Sequence, residues 1–239
     1  MHKNYTPEYW EMQYLNLIQE IVDNGTVQYN ERTGKKCYFY HGDMMKFDLS
    51  SGYFPLLTTK KMAVKAMIGE LIGFIRAADN AKDFRDLKCN FWNANANESV
   101  HWLENPNRKG EDDLGRIYGV QARNWKGYGN TVDQLKVAVD KLREGVDDRR
   151  LIVTHWNPGE LDAMALPSCH LLYQFGIRDG HLDLCMYQRS CDVPLGIPMN
   201  IASYALLNLL VARITGLKPG IFTHFMWNIH IYEDQYDQV

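Results

Sequence analysis

Two apolar runs, Leu171 to Ile177 and Leu182 to Tyr187, stand on either side of Asp179-Gly180, and this pattern constrains the chain more than any other. An Asp-Gly pair between runs rich in Leu, Tyr, Phe and Ile is the strongest short-range signal for a β-hairpin. Its two arms carry unusual chemistry. Cys169-His170 opens the first, and Gln188-Arg189-Ser190-Cys191-Asp192 closes the second, followed by Asn200. Folding the hairpin is expected to bring the neighbourhood of Arg189 alongside that of Cys169. A guanidinium close to a thiol favours the thiolate, which is the reactive form.

The remaining pattern is mixed. Thr6-Pro7-Glu8 reads as a helix start, with Trp10, Tyr14, Ile18, Ile21 and Val22 along one face until Gly25. A strand is expected over Cys37 to Leu49 and a helix over Met62 to Ala78. A further helix is read from a Thr131…Gln134 capping box to Gly145. Leu151 to Trp156 reads as a strand, Ile201 to Ile214 as a helix stopped by Gly216, and Ile221 to Ile229 as a last strand. Polar residues from Asn93 to Asp113 read as a surface excursion. Helices and strands without strict alternation predict an α+β fold.

With 239 residues, 46% of them hydrophobic, the chain can bury one substantial core, and no linker or repeat divides it. A single domain, 1–239, is expected. The net charge of −3 comes with dispersed basic residues, so no nucleic-acid footprint is evident. No apolar run reads as membrane-spanning, and the N-terminus has no signal-peptide core. Five cysteines without regular spacing suit a reducing cytoplasm, and no spacing suggests a metal site.

Individual residues leave alternatives open. Cys37, Cys89, Cys185 and Cys191 read as small buried hydrophobes. Cys169 differs because Pro167-Ser168 turns the chain before it and a strand follows. Glu70 shares a helix face with Ala66, Met67, Leu71 and Phe74. It is either a helix-edge carboxylate with solvent access or a proton-transfer group with a raised pKa. Asn200 is either an N-cap before Ile201 or an amide that reads a polar ring. Arg32, Arg149, Arg150 and Arg189 are each a solvated charge or part of an anion site. Arg149-Arg150 ahead of a strand would turn one side chain inward.

The runs Ala165-Leu166-Pro167-Ser168-Cys169-His170, Tyr187 to Val193 and Leu195 to Leu207 closely resemble the thymidylate synthase family. Arg32-Thr33-Gly34, Phe54 to Lys61, Gly69-Glu70-Leu71, Leu114 to Gly119, Asp148-Arg149-Arg150 and His230-Ile231-Tyr232 follow in that family's order. The resemblance implies a large mixed sheet packed against its twin in a homodimer, with helices on the other face. It implies reductive methylation of dUMP to dTMP by 5,10-methylenetetrahydrofolate, without a metal. Cys169 would be the nucleophile, and Glu70 would manage protons through water, with Arg189, Tyr118 and Asp192 assisting.

Dimer partners would share Arg149 and Arg150, completing with Arg32 and Arg189 a phosphate site. Gln188, Ser190 and Asp192 would meet phosphate or ring, and His230 and Tyr232 the sugar hydroxyl. Asn200 would pair with N3–H and O4 of uracil, since relatives acting on cytidylate carry Asp there. Lys60, Trp92, Leu166, Asp192, Gly196 and Met199 would line the folate side. His170 reads as structural.

The sequence departs from the family pattern in places. Gly73 replaces a usual Trp, Trp227-Asn228-Ile229 stands before His230 in place of a Gly-Asp pair, and Ser168 and Pro194 are small local variations. The family's closing C-terminal tail is also expected to be missing, since the sequence ends at Val239. Without such closure water could capture the one-carbon unit. A dUMP hydroxymethylase giving 5-hydroxymethyl-dUMP is therefore the alternative, and a non-catalytic nucleotide- or RNA-binding relative a lesser one.

Overall fold

A computed structural model describes residues 7–31 and 33–239; the expected helix start at Thr6 and the expected anion-binding Arg32 lie outside them. Helix α1 (Pro7–Asn24) leads into strands β1 (Thr26–Asn30) and β2 (Lys35–Asp48). Then come α2 (Val64–Ile75), α3 (Ala81–Asp86), α4 (Asn93–Asn97), α5 (Val100–Leu103) and α6 (Tyr118–Arg123). The short pair β3 (Trp125–Lys126) and β4 (Thr131–Val132) precedes α7 (Gln134–Arg143) and β5 (Ile152–Thr154). The hairpin strands β6 (His170–Arg178) and β7 (His181–Asp192), helix α8 (Gly196–Thr215) and β8 (Lys218–Tyr232) complete the chain. Six strands form one mixed sheet in the order β1-β2-β8-β7-β6-β5, so the fold is α+β. Two compact units are distinguishable, Met1–Met62 with Gly176–Val239, and Ala63–Phe175.

The hairpin forms where the sequence places it. Asp179 and Gly180 adopt φ of 51° and 74°, the two positive values that a type I′ turn demands. In the first unit β8 lies between β2, antiparallel, and β7, parallel. One face of these strands is apolar and covered. Leu182, Leu184 and Met186 of β7, Phe222 and Met226 of β8, and Met45 and Phe47 of β2 are all buried, and α8 packs on β7 and β8. The opposite face leaves Met44, Phe225 and Trp227 exposed and Tyr187 half-buried.

Helix α8 begins five residues before the expected Ile201, so Asn200 sits inside it and is not its N-cap. Gly196 and Pro198 lie in its first turn, where Pro is tolerated because those N–H groups lack intrahelical partners. Asp192 accepts a hydrogen bond from the Leu195 N–H at 3.0 Å just ahead of the helix. By length and composition α8 could cross a membrane, contrary to the expectation that no run would. It is mostly buried and carries Asn200, Ser203 and Asn208 inward, the marks of a core helix.

In the second unit the cap of α7 is Asp133, whose carboxylate accepts the Lys136 N–H at 2.9 Å. Thr131 pairs in β4 instead of capping. Gln134 turns its amide to the carbonyls of Gln121 and Thr154, at 2.9 and 2.8 Å. The expected excursion over Asn93–Asp113 holds α4 and α5 and inserts a fully buried Trp102 into the core. Asp112 ties it down, accepting from Arg85 Nη1 and Asn97 Nδ2, both at 2.8 Å.

Helices α2 and α6 approach closely because Gly119 carries no side chain: a Cβ there would lie 2.5 Å from the Phe74 carbonyl oxygen. Gly73 has a similar role on the other side of α2. Where the family pattern has Trp, the ring of buried Phe84 fills the space, 2.3 Å from where a Cβ would stand. Phe84 cannot retreat easily, since Phe74 and Trp92 flank it at ring separations of 5.7 and 5.8 Å. Gly73→Ala is therefore expected to destabilise the protein by about 1–3 kcal/mol, overcrowding outweighing the gain of about 1 kcal/mol in helix propensity. Urea denaturation of Gly73→Ala, alone and combined with Phe84→Leu, checks this; the second change should recover part of the loss.

Candidate active site

In the second unit the chemistry gathers around an aromatic cluster. Tyr118 opens α6, buried, with its ring stacked on Phe74 at 5.0 Å and near Trp92 at 5.8 Å. The Tyr118 hydroxyl accepts the backbone N–H of Cys169 at 2.6 Å, fixing the residue just before β6. Cys169 itself is partly buried and free of any disulfide. From the other side of the cluster, Trp92 Nε1 donates to Glu70 Oε1 at 3.0 Å. A continuous set of contacts thus runs from Glu70 through Trp92 and Tyr118 to the backbone of Cys169.

Glu70 keeps partial solvent access, while burial of its carboxyl pushes the pKa up to about 7, against the pull of the Trp92 indole, which favours the anion. Leu166 is half-buried and Trp92 almost wholly buried. His170 is buried, its ring 5.1 Å from that of Tyr118 and its carbonyl accepting the His155 Nδ1–H at 3.0 Å. Burial also holds His155 neutral, with a pKa lowered to about 4. His155 escapes sequence reading because no motif marks it.

Arg149 and Arg150 both lie exposed, contrary to the expectation that one would turn inward. Asp148 explains this: it accepts both the backbone N–H and Nε of Arg150, at 2.9 and 3.0 Å, and Leu151 takes the buried position.

In the first unit the polar residues organise around Gln188, which is 2% exposed. Its Nε2 donates to the Ser190 carbonyl at 2.9 Å and to Asn200 Oδ1 at 3.1 Å, and its Oε1 meets His224 Nε2 at 2.9 Å. Ser190, Asn228, His230 and Tyr232 line a polar cleft of about 460 Å³ with Gln28 to Glu31 and Cys37. His230 Nδ1 contacts Asn228 Oδ1 at 2.8 Å and its ring lies 5.0 Å from that of Tyr232. Arg189 is partly buried on β7.

Asp192 accepts from Gln235 Nε2 at 3.4 Å, and with burial it pushes the Tyr14 hydroxyl up to about 12. Lys60 Nζ donates to the Pro194 carbonyl. Gly196 and Met199 keep partial exposure; a Cβ on Gly196 would meet Asn200 Oδ1 at 3.5 Å and Asp192 Cβ at 3.7 Å, so glycine leaves this wall open. Cys37, Cys89 and Cys191 are buried as expected, whereas Cys185 is only half-buried because it lies on the uncovered face of β7.

The second unit thus carries a partly buried thiol and a carboxyl whose pKa is raised to about 7, and the first unit a buried amide cluster. The sequence model of the family described as Thymidylate synthase matches residues 12–239. A thymidylate synthase of Photobacterium profundum is 50% identical over 224 residues, 93% of this chain and 79% of that relative. Those of Idiomarina loihiensis (50%, covering 93% and 79%) and Histophilus somni (49%, covering 94% and 80%) are similar. The chain belongs to the thymidylate synthase family.

The Glu70 pKa has a definite consequence. Below its ordinary value of 4.5 the carboxyl is neutral whether folded or unfolded, and its burial is tolerated. As pH rises through about 7 that share of stability is lost, because the unfolded chain has ionised and the folded one resists. Glu70→Gln should flatten this fall, seen in denaturation midpoints between pH 4.5 and 7. Trp92→Phe, which removes the indole donor, should move the Glu70 titration above about 7 in carboxyl 13C spectra.

Proposed function

We propose that this chain converts dUMP to dTMP, with 5,10-methylenetetrahydrofolate as co-substrate, through a covalent Cys169 adduct. The observation that carries the reading is the set of contacts from the Glu70 carboxyl to the Cys169 backbone, on a chain that belongs to the thymidylate synthase family. The Cys169 thiolate adds to C6 of the pyrimidine, and the electron pair displaced from the C5–C6 bond makes C5 a carbon nucleophile. The reduced folate supplies the one-carbon unit and the hydride. Glu70, titrating near neutrality, takes the C5 proton once C5 has bonded to that unit, through water in its partly accessible pocket. Cys169 leaves C6 when the C5 substituent has been reduced to methyl.

Asn200 reads the ring, His230 and Tyr232 the sugar hydroxyl, and Ser190 and Arg189 the phosphate side, with Arg32 contributing as the resemblance implies. Asp192 and Tyr118 assist the chemistry. Lys60, Leu166, Asp192, Gly196 and Met199 line the folate side; Trp92, buried and engaged with Glu70, offers it only an edge. Residues 1–239 act as one cytoplasmic catalytic domain. The relatives' names do not favour the hydroxymethylase alternative.

The exposed sheet face of Met44, Phe225 and Trp227, beside half-buried Tyr187, supports a homodimer packed face to face. The outward Arg149 and Arg150 suit a phosphate site shared between protomers. Phe225→Asp should yield monomers in analytical ultracentrifugation and weaken dUMP binding at least about tenfold, since the site would lose its partner's arginines.

Cys169→Ala should lower turnover by more than about a thousandfold while changing the dUMP Kd by less than about threefold. Mass spectrometry of the wild-type product, with dihydrofolate absorbance in parallel, should show dTMP and dihydrofolate in equal amounts. Formation of 5-hydroxymethyl-dUMP without dihydrofolate, or retained turnover in Cys169→Ala, would remove this reading.

A further inference from the structure

His224 is wholly buried on β8, opposite Met45 of β2 and Met186 of β7, with its ring near that of Phe222 at 6.0 Å. Among the expected site residues, Gln188 is hydrogen-bonded to it. Its Nε2 lies 2.9 Å from Gln188 Oε1, while its Nδ1 has no hydrogen-bond partner among the described residues. A neutral imidazole has one N–H, and placing it on Nε2 lets it donate to Gln188 Oε1. Burial keeps the ring neutral, its pKa lowered to about 3.

The polarity of the Gln188 amide follows. The Ser190 carbonyl can only accept, so the Gln188 amide nitrogen must face it, and the oxygen must then face His224. The second amide hydrogen goes to Asn200 Oδ1 at 3.1 Å. Asn200 is thereby held with its oxygen toward Gln188 and its NH₂ on the opposite side. Reversing the Asn200 amide would set NH₂ against NH₂, donor against donor, in a site where an unmade hydrogen bond is costly.

We propose that His224 is a positioning residue for base recognition, acting through Gln188 to fix which end of the Asn200 amide the pyrimidine meets. The proposal rests on the dUMP reading above. Uracil offers a donor at N3 and an acceptor at C4, and cytosine offers the reverse. An amide locked in one sense accepts one ring and rejects the other; an amide free to rotate discriminates poorly. His224 is thus a determinant of selectivity for a pyrimidine bearing a 4-carbonyl, although it makes no contact with the ring itself.

The test is the ratio of dCMP to dUMP dissociation constants for the wild type, His224→Leu and His224→Gln. Leucine removes the donor and strands Gln188 Oε1, whereas glutamine can set an N–H where Nε2 stands. His224→Leu should lower the ratio about tenfold, and His224→Gln should stay within about threefold of the wild type. A folded His224→Leu protein with the wild-type ratio would overturn the relay alone. A wild type with no preference for dUMP would overturn the functional reading, and the relay with it. Should His224→Leu fail to fold, 15N-histidine spectra of the wild type decide: the Nε2–H tautomer supports the proposal, and an Nδ1–H tautomer or a charged ring overturns it.

Discussion

The burial of one sheet face beneath α8 is the constraint from which the first unit's polar chemistry follows. Leu182, Leu184 and Met186 on β7, with Phe222 and Met226 on β8, are sealed under a helix that is itself mostly buried. Each such side chain contributes about 1.5–3 kcal/mol when fully desolvated. A polar group left without a partner on that face costs free energy. Gln188 and His224 lie on that face and Asn200 on the helix above it, so they bond to one another. The energetics of the core and the orientation of the Asn200 amide are one problem.

The second unit shows the opposite use of burial, an incomplete compensation. Glu70 is desolvated enough for its carboxyl to resist ionising, but the Trp92 indole donates to it and restrains the shift. Burial raises the pKa and the indole lowers it. Together they hold it near neutrality, where donating and accepting a proton cost comparable amounts. The same indole belongs to the aromatic cluster that seats Tyr118, and Tyr118 seats the Cys169 backbone. Packing and proton affinity are therefore coupled through a single side chain.

Local signals are legible in the sequence, and signals that depend on what lies above a residue are not. Asp179-Gly180 specifies its turn because positive φ at both positions is a property of the dipeptide. The start of α8 is hidden because Gly196 and Pro198 look like breakers unless the first-turn position of the proline is known. Asn93–Asp113 looks solvated by composition, yet the buried Trp102 and the Arg85–Asp112 pair fold it onto the core. Tandem arginines suggest an inward side chain, but Asp148 and Leu151 turn both outward. The roles of Cys169, Glu70 and Asn200 come from the family resemblance. His224 carries no motif, and a lone histidine on an apolar face gives no hint of its partner.

Gly73 illustrates how a departure from the family pattern can leave the chemistry in place. A missing Trp on the Glu70 helix suggests a cavity, which would loosen the aromatic cluster. Phe84 instead brings its ring into the space that glycine leaves, in contact range of both Phe74 and Trp92. Volume lost on α2 is supplied from α3, and Trp92 keeps its bond to Glu70. A dense wall behind the indole holds Trp92 against Glu70, whose carboxyl keeps partial solvent access. Which helix provides that wall is immaterial to the indole, so glycine at position 73 is compatible with the Trp92–Glu70 bond.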